Sequence, residues 1–522
     1  MYARIMTSVA ALALSAGTAA ADYKLTILHT NDFHARFEPI SKYDSGCSAE
    51  DNTEGKCFGG SARLVTAIEA AKARSDNSIL VDGGDQFQGT LFYTYYKGKA
   101  AAEMMNKMGY TAMTVGNHEF DDGPEVLKGF ADSVGFPILM SNADYSGEPL
   151  LAGTIQKSVV IEQGGEKIGL IGLTPQDTDE LASPGANVIF TDPAEAVAVE
   201  VERLEANGIN KIIVLSHSGM VVDKAVAAAV PQIDVIVGGH DNTYLSNVSD
   251  RAKGPYPTMV GTTAIVQAYA YGKFLGELNV TFDDDGIITE AVGEPITLDG
   301  GVTEDEVTKA RVTELAGPLD EIRKKVVAQS GGVINGDRGV CRVEECSMGN
   351  LVADSMLARV KDQGIQVAIA NSGGIRASID EGDVTMGEVL LVLPFQNTLS
   401  TFQTSGQTII DALENGVSQV EEIKGRFPQV AGLTFKWDPS VAPNEGRIVE
   451  VMVGGAPIDP AATYGVVTNN FVRNGGDGYK MFTSNATHVY DFGPDLADVL
   501  AEYMAEIGSS VPMLDGRISK VD

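Results

Sequence analysis

Five segments of the chain combine side chains that bind divalent metals, and each of them follows a short apolar run. Carboxylate and amide oxygens mixed with imidazole nitrogens suit zinc, manganese or iron better than calcium. A carboxylate that bridges two such ions lets them clamp the attacking and leaving oxygens of an in-line phosphoryl displacement. The pattern therefore predicts a dimetal hydrolytic site with Asp85 as the bridging ligand. The segments are Asn31-Asp32-Phe33-His34, Asp82-Gly83-Gly84-Asp85, Gly116-Asn117-His118-Glu119, Ser216-His217-Ser218 and Gly238-Gly239-His240-Asp241-Asn242.

Each segment also has an ordinary interpretation. A single Asp or His after a strand is usually part of a turn or a solvated polar group. Five such segments in one predicted domain favour a metal site, because loops at the carboxyl ends of parallel strands meet at the same edge of a sheet. Gly residues within or directly after four of the five segments permit tight turns and close approach of the backbone to a ligand.

The elements that must position these segments alternate between strands and helices. Short apolar runs at 25–28, 79–81, 112–115, 212–215 and 235–237 are typical of buried strands, and Ala-rich amphipathic stretches at 61–74 and 193–207 predict helices. This alternation predicts an α/β layered domain. A more β-rich part follows at 258–298, where the turn Asp283-Asp284-Asp285-Gly286 predicts a hairpin rather than a calcium loop.

The chain has 522 residues, which is too long for one hydrophobic core. We expect an N-terminal processing segment at 1–21, a dimetal α/β domain at 22–302, a linker helix at 303–330 and a second α/β domain at 331–522. The linker lies between two Gly-Gly pairs, and its expected apolar stripe consists of Val307, Val312, Leu315, Leu319, Ile322 and Val326.

The chain is strongly acidic, with 71 Asp plus Glu against 38 Lys plus Arg and a formal net charge of −33. This charge argues against binding of a nucleic acid polymer or an anionic membrane over a broad basic face. The net charge does not exclude the binding of an anionic ligand at one local site.

The N-terminus has the three parts of a secretory signal. Arg4 is followed by an apolar stretch and then by Ala19-Ala20-Ala21, a small-residue cleavage site. The C-terminus is polar, so no lipid anchor is expected. We therefore expect a periplasmic or secreted protein without a membrane anchor.

The four cysteines fit export to an oxidising compartment. Cys47 and Cys57 are near neighbours in the sequence, as are Cys341 and Cys346, so two local disulfides are the simplest pairing of the three that four cysteines allow. Neither pair has the C-x-x-C spacing typical of a zinc site.

The second domain carries residues that suit a nucleotide. Arg342 and Arg376 can form forked hydrogen bonds with phosphate, and Phe395 and Phe471 can sandwich a planar base. Asp477 can accept from ribose hydroxyls, and Asn371 can hydrogen-bond the base or the sugar. Taken singly, a Phe after Pro is usually a core residue and Asn-Gly-Gly-Asp is usually a turn. Their joint occurrence after a metal-binding domain favours a substrate site.

In this order, the motifs D-x-H, G-D, G-N-H-E-x-D, a lone His after a strand and G-H-x-N resemble those of the calcineurin-like metallophosphoesterases. The second-domain motifs Asn371-Ser372-Gly373-Gly374-Ile375-Arg376 and Asn470-Phe471-Val472-Arg473-Asn474-Gly475-Gly476-Asp477-Gly478 narrow the resemblance to the 5′-nucleotidase family. That family includes periplasmic UDP-sugar hydrolases and ecto-5′-nucleotidases, and the paired cysteines bring the chain nearer to the latter. The resemblance implies an N-terminal four-layer α/β/β/α domain, a long linker helix and a C-terminal α/β substrate-binding domain.

The resemblance also implies roles for individual residues. His118 would stabilise the transition state or protonate the leaving group, oriented by Asp121, while a metal-bound hydroxide attacks the phosphorus. The two divalent ions, with zinc the first expectation and manganese or iron the alternatives, would share Asp85. One metal would be held by Asp32, His34, Asp85 and Asn242, and the other by Asp85, Asn117, His217 and His240.

The implied activity is hydrolysis of nucleoside 5′-monophosphates such as AMP. The alternatives on the same metals are UDP-sugars, nucleoside di- or triphosphates and 2′,3′-cyclic nucleotides, and from another class a non-catalytic secreted nucleotide-binding protein. The sequence leaves the metal, the preferred nucleotide and the oligomeric state open.

Overall fold

The computed structural model describes residues 22–42, 44, 47–393, 395, 397–491, 493–509 and 513–521. The expected signal peptide at 1–21 lies outside the described residues. Among the described residues, the mixed α/β architecture has two large sheets in the N-terminal part and further, smaller sheets in the C-terminal part.

The N-terminal part is built on two sheets. Strands of the first sheet run in the spatial order Ile288–Gly293, Phe274–Phe282, Tyr23–Thr30, Ser78–Asp82, Ala112–Thr114 and Ile138–Leu139, and Ile296–Thr297 also pairs with Phe274–Phe282. The second sheet has the order Thr258–Val260, Thr263–Val266, Val235–Val237, Ile212–Ser216, Glu166–Leu173 and Ser158–Gln163.

Alternation of side chains along the strands explains the layers. In the first sheet, Leu28 and Leu80 point into a core shared with helices, whereas Ile27 and Ile79 point into a core shared with the second sheet. The outer layers are helices: Ser61–Ala73, Lys99–Met108 and Pro124–Ala131 on one side, and Pro193–Ala206 and Gly219–Ala229 on the other. The expected α/β/β/α domain is confirmed.

The helix expected at 303–330 is shorter than predicted. It runs over Glu306–Arg323, and the strand Val326–Ser330 follows and pairs antiparallel with Gly382–Thr385. The β-branched Val326 and Val327 favour extended backbone, and a partner strand in the second part of the chain makes that conformation the better one. The prediction of helix up to Ser330 is therefore wrong, and the domain limits stay predictions.

The C-terminal part has a mixed five-stranded sheet and a four-stranded sheet among the described residues. The five strands have the order Pro428–Ala431, Val367–Asn371, Thr463–Asn469, Leu399–Ser405 and Thr487–Tyr490. The four strands are Ala456–Pro457, Ile448–Val453, Leu433–Trp437 and Ile518–Lys520. The longer helices are Ser347–Val360, Met386–Val392, Gly406–Gly416 and Leu496–Ile507.

Both expected disulfides are present, one between Cys47 and Cys57 and one between Cys341 and Cys346. The second closes the loop that carries Arg342, and the Gln429 amide donates to the Cys341 carbonyl of this loop at 2.8 Å. Over the described part of the chain, none of the helices has the length and apolar character needed to cross a membrane.

Candidate metal centre

The candidate metal ligands converge from the carboxyl ends of strands in both N-terminal sheets. Asp32, His34, Asp85 and Asn117 come from the loops after the parallel strands of the first sheet, and His217, His240 and Asn242 come from the second sheet. Because the two sheets pack face to face, their carboxyl-end loops meet above the shared core. The convergence expected from the sequence is therefore present, although it involves two sheets.

Asp85 is the side chain on which the site centres. Two groups of potential ligands have their donor atoms within 4.8 Å of one another: Asp32 with His34 and Asp85, and Asp85 with His217 and His240. The Asp85 Oδ2 atom lies 2.9 Å from Nε2 of His217 and 3.9 Å from Nε2 of His34. Membership of both groups is what a bridging carboxylate requires.

Glu119 holds the loop of Asp85 against the loop of Asn117. Its Oε2 atom accepts from the backbone N–H groups of Asp85 at 3.0 Å and Gly116 at 2.7 Å. Its Oε1 atom accepts from the N–H groups of Gln86 and Phe87. Four backbone donors on one fully buried carboxylate fix the relative positions of two ligand-bearing loops.

The ligand loops have an unusual backbone conformation. Five of the seven candidate ligands have left-handed φ angles between 50° and 79°: Asp32, His34, Asp85, His240 and Asn242. Such angles cost free energy in residues other than Gly, and they concentrate at functional sites. Close packing adds a second constraint, since a Cβ atom at Gly116 would lie 2.1 Å from Oδ1 of Asp85.

The charges of the buried ligands are strongly coupled. Burial would raise the pKa of Asp85, but the imidazoles of His217 and His118 outweigh it and hold that pKa below its usual range. Burial raises the pKa of Asp32 to about 7, against the opposing effect of His217. Burial would lower the pKa of His217, but Asp85 and Asp32 raise it to about 10. At this pKa, His217 carries a proton next to the Asp85 carboxylate. A cation bound between Asp85 and His217 would take the place of that proton.

His34 and His240 behave differently from His217. Burial, together with neighbouring imidazoles, lowers the pKa of each to about 3. Both rings are therefore neutral at physiological pH and have a lone pair for a metal. The Nδ1 atom of His34 lies 3.0 Å from the Phe87 carbonyl, which leaves Nε2 to face Asp85.

His118 is placed beside the ligand groups and is held by Asp121. Its Nδ1 atom lies 2.7 Å from Oδ2 of Asp121, and its Nε2 atom lies 4.0 Å from Oδ2 of Asp85. Burial would lower the pKa of His118, but Asp121 and Asp85 raise it to about 9. The ring is therefore a cation at neutral pH with its Nε2 side directed at the centre.

The residues present fit divalent cations. Within the described part of the chain, the Nε2 atom of His217 and the Oδ1 atom of Asn242 are buried without a well-aligned hydrogen-bond partner. Buried polar atoms are rarely left without partners unless a ligand or ion completes them. Carboxylates, amides and neutral imidazoles together form the donor set expected for zinc, manganese or iron.

The C-terminal candidate residues form two local groups. In the first, Asn371 donates to Oδ2 of Asp477 at 2.7 Å, and Asp477 itself has a left-handed φ of 51°. In the second, the Arg376 guanidinium lies 5.2 Å from the ring centroid of Phe395. The Arg342 guanidinium donates to the Ile423 carbonyl at 3.2 Å and interacts electrostatically with Asp477 of the first group.

Phe471 is 46% exposed, and its ring packs over Gly476, next to Asp477. No ring contact joins Phe395 and Phe471, both of which the structure describes. The sandwich of a base between these two rings therefore stays a prediction.

Sequence reasoning missed two residues of the site and left two histidines without a role. Glu119 lies within a recognised motif, and a carboxylate directly after candidate ligands was the available signal. Gln88 donates to Oδ2 of Asp121 at 2.9 Å, and no pattern in the sequence marks it.

The two histidines without a role lie outside the metal centre. His29 is a buried structural residue at 2.7 Å from the Tyr256 hydroxyl, and His488 is exposed on the strand Thr487–Tyr490.

Comparison with known proteins finds similarity in both the N-terminal and the C-terminal part of the chain. Residues 25–244 match the calcineurin-like phosphoesterase family, and residues 325–484 match the 5′-nucleotidase C-terminal domain family. The 5′-nucleotidase of Diplobatis ommata is 38% identical over 96% of this chain and 91% of that protein.

Two solved structures extend the comparison. The 5′-nucleotidase precursor of Thermus thermophilus is 40% identical with a TM-score of 0.63, over 96% of this chain and 100% of that chain. The NAD nucleotidase of Haemophilus influenzae is 25% identical with a TM-score of 0.76, over 96% of this chain and 99% of that chain.

Two packed sheets bring carboxylates, amides and imidazoles to one buried centre. Together with these matches, this arrangement identifies the chain as a calcineurin-like metallophosphoesterase, a class of enzyme that uses divalent metal ions. The chain belongs to the 5′-nucleotidase family and is a phosphoric monoester hydrolase.

We predict that Glu119→Gln weakens metal binding by about tenfold to a hundredfold, because the new amide N–H₂ group would face backbone donors that now meet a carboxylate oxygen. Metal content after dialysis against graded zinc concentrations measures this loss. The matched control is Glu414→Gln, since Glu414 also accepts from backbone N–H groups, those of Gly446, Arg447 and Ile448, in the C-terminal part. Equal metal affinity in the two variants would contradict the role given to Glu119.

Proposed function

We propose that the protein is an exported 5′-nucleotidase that hydrolyses nucleoside 5′-monophosphates such as AMP to nucleoside and phosphate. The observation that carries the proposal is the shared position of Asp85 in two ligand groups beside a His118–Asp121 pair. A matched C-terminal domain with Arg and Phe side chains supports a nucleotide as the substrate.

In this proposal, Asp32, His34, Asp85 and Asn242 hold one divalent cation, and Asp85, Asn117, His217 and His240 hold the other. When bound, such cations generate a nucleophile from water at neutral pH and neutralise charge on the phosphoryl oxygens. Zinc suits the mixed nitrogen and oxygen donors best.

The His118 imidazolium performs the step that belongs to the chain itself. Its Nε2–H group faces the centre, so it can donate to an oxygen of the phosphoryl group as negative charge develops, or protonate the leaving ribose oxygen. Asp121 fixes the ring by its contact with Nδ1 and keeps the proton on the ring. The ring orientation thus serves both possible roles of His118.

The C-terminal residues would select the substrate. Among the described residues, nothing hydrogen-bonds the buried Nε atom of Arg342, so this side chain has hydrogen-bonding capacity for an anionic group. The exposed Phe471 ring offers a face for a base, and Asp477 has a second carboxylate oxygen for a ribose hydroxyl. The signal-like sequence at 1–21 and the two disulfides support export to an oxidising compartment.

We predict that the metal-loaded protein releases phosphate from AMP and that His118→Ala lowers kcat by about a hundredfold or more, because general-acid and electrostatic contributions are lost. His488→Ala is the matched control, since His488 is an exposed histidine on a strand of the C-terminal part. Phosphate release under saturating AMP measures the effect. Unchanged turnover in His118→Ala would remove the mechanism, and absence of AMP hydrolysis by the metal-loaded wild type would remove the function.

We predict that Phe471→Ala raises KM for AMP about tenfold with a smaller change in kcat, because stacking on a base contributes about 1–3 kcal/mol. Steady-state kinetics measure both constants. Tyr95→Ala, which removes a similarly exposed aromatic ring of the N-terminal part, is expected to leave both unchanged. A Phe471→Ala variant with an unaltered KM would exclude this ring from the substrate site.

The similarity to an NAD nucleotidase favours a second candidate function, hydrolysis of a phosphoanhydride in a larger nucleotide. The same metals and His118 could act on UDP-sugars or on nucleoside di- and triphosphates, and on 2′,3′-cyclic nucleotides. Comparison of kcat/KM among AMP, ADP, ATP, NAD, a UDP-sugar and a cyclic nucleotide separates these substrates. A value for NAD or the UDP-sugar well above that for AMP would replace the first proposal by the second.

A further inference from the structure

The carboxylate of Asp121 has two donors on the same oxygen. His118 Nδ1 lies 2.7 Å from Oδ2, and Gln88 Nε2 donates to Oδ2 at 2.9 Å. We propose that Gln88 is a positioning residue for phosphate-ester hydrolysis, which acts by fixing the orientation of Asp121 and through it the ring of His118. The proposal rests on the role given to His118 in the proposed function.

Gln88 is itself held in one orientation. Its backbone is left-handed, with a φ of 66°, and its Oε1 atom accepts from the N–H group of Gly89 at 3.3 Å. Because Oε1 is used as an acceptor there, the amide nitrogen is the end that faces Asp121. A left-handed residue other than Gly or Asn is a local strain that structures retain at functional sites.

The turn that carries Gln88 is anchored on both sides. The Gly89 carbonyl accepts from Nη1 of the buried Arg36 at 2.6 Å. A Cβ atom on Gly89 would lie 2.8 Å from the carbonyl oxygen of His34, so the turn packs directly against a ligand-bearing loop. The position of the Gln88 amide is therefore coupled to the backbone of the metal centre.

The chemistry of an amide suits this position. A Lys or Arg donor at the same place would compete with His118 for the charge of Asp121, and so would reduce the stabilisation of the imidazolium. A neutral amide restricts the carboxylate without cancelling its charge.

The test uses the full-length, metal-loaded protein and the variants Gln88→Met and Gln88→Glu. Met keeps the length of the side chain without a donor, and Glu places a like charge beside Asp121. We expect Gln88→Met to lower kcat about tenfold, with a larger loss in Gln88→Glu and KM within about twofold of wild type in Gln88→Met. The matched control is Gln407→Met, since Gln407 makes the same amide-to-carboxylate contact with Asp411 at 2.9 Å on an exposed helix face.

A double-mutant cycle separates positioning from a general structural effect. In an Asp121→Asn background, Gln88→Met should cost little further kcat, because its effect passes through the Asp121 carboxylate. Additive losses in the cycle, or a raised KM with unchanged kcat, would overturn the proposal, and the latter would make Gln88 a substrate contact. A melting temperature lowered in Gln88→Met but not in Gln407→Met would assign the loss to folding instead.

The assays are run in parallel with AMP and with p-nitrophenyl phosphate as a generic phosphate ester. A wild-type protein that hydrolyses only the latter contradicts the proposed substrate, while the comparison of Gln88 variants on that ester still decides the positioning role. Wild-type rates in Gln88→Met on every ester that the wild type hydrolyses would overturn the positioning role alone.

Discussion

Four backbone N–H groups from two loops meet the two oxygens of the Glu119 carboxylate, at a fully buried position behind the metal centre. One of these loops carries Asp85, which belongs to both ligand groups, and the other contains the short 3-10 helix His118–Phe120. Without a common acceptor, these donors would be buried and unpaired, and the hydrogen bond from the His118 N–H group to Oδ1 of Asp85 at 3.0 Å would remain between the two loops. The spacing of the ligands therefore depends on a residue that need not touch a metal.

The net charge of the protein says little about this centre. The formal charge of −33 is spread over the chain. At the centre, Asp32 and Asp85 lie beside imidazoles, and these carboxylates raise the pKa of the His217 ring so that it carries a positive charge. Cations would offset the acids locally, and the Arg36 guanidinium lies close by, over the ring of Tyr271. A polyanionic surface with a locally neutralised centre makes long-range attraction of a phosphate ester weak, so substrate capture depends on short-range contacts.

The clustering of Asp32, His34, Asp85, His217 and His240 could be predicted from the sequence because strand ends, Gly-rich turns and metal-binding side chains are local features, whereas the division of ligands between two metals stays a prediction. The strand at 326–330 was mistaken for helix because its partner at 382–385 is distant in sequence, and a Val-rich segment is ambiguous until that partner is known. Glu119 and Gln88 were missed for the same reason. Their roles depend on hydrogen bonds across more than thirty positions, between Glu119 and Asp85 and between Gln88 and Asp121, and only the folded loops bring these groups together.

The metal centre works against the stability of the apo chain. Five ligand residues hold left-handed backbone angles, Asp32 and Asp85 share a buried space, and several ligand atoms lack aligned partners among the described residues. These costs are confined to loops, while the strands beneath them are almost wholly buried and paired. Cations that bind only the folded arrangement offset such costs by mass action. The sheets thus supply a scaffold stable enough to hold a strained centre, and metal binding contributes stability where the chain by itself has least.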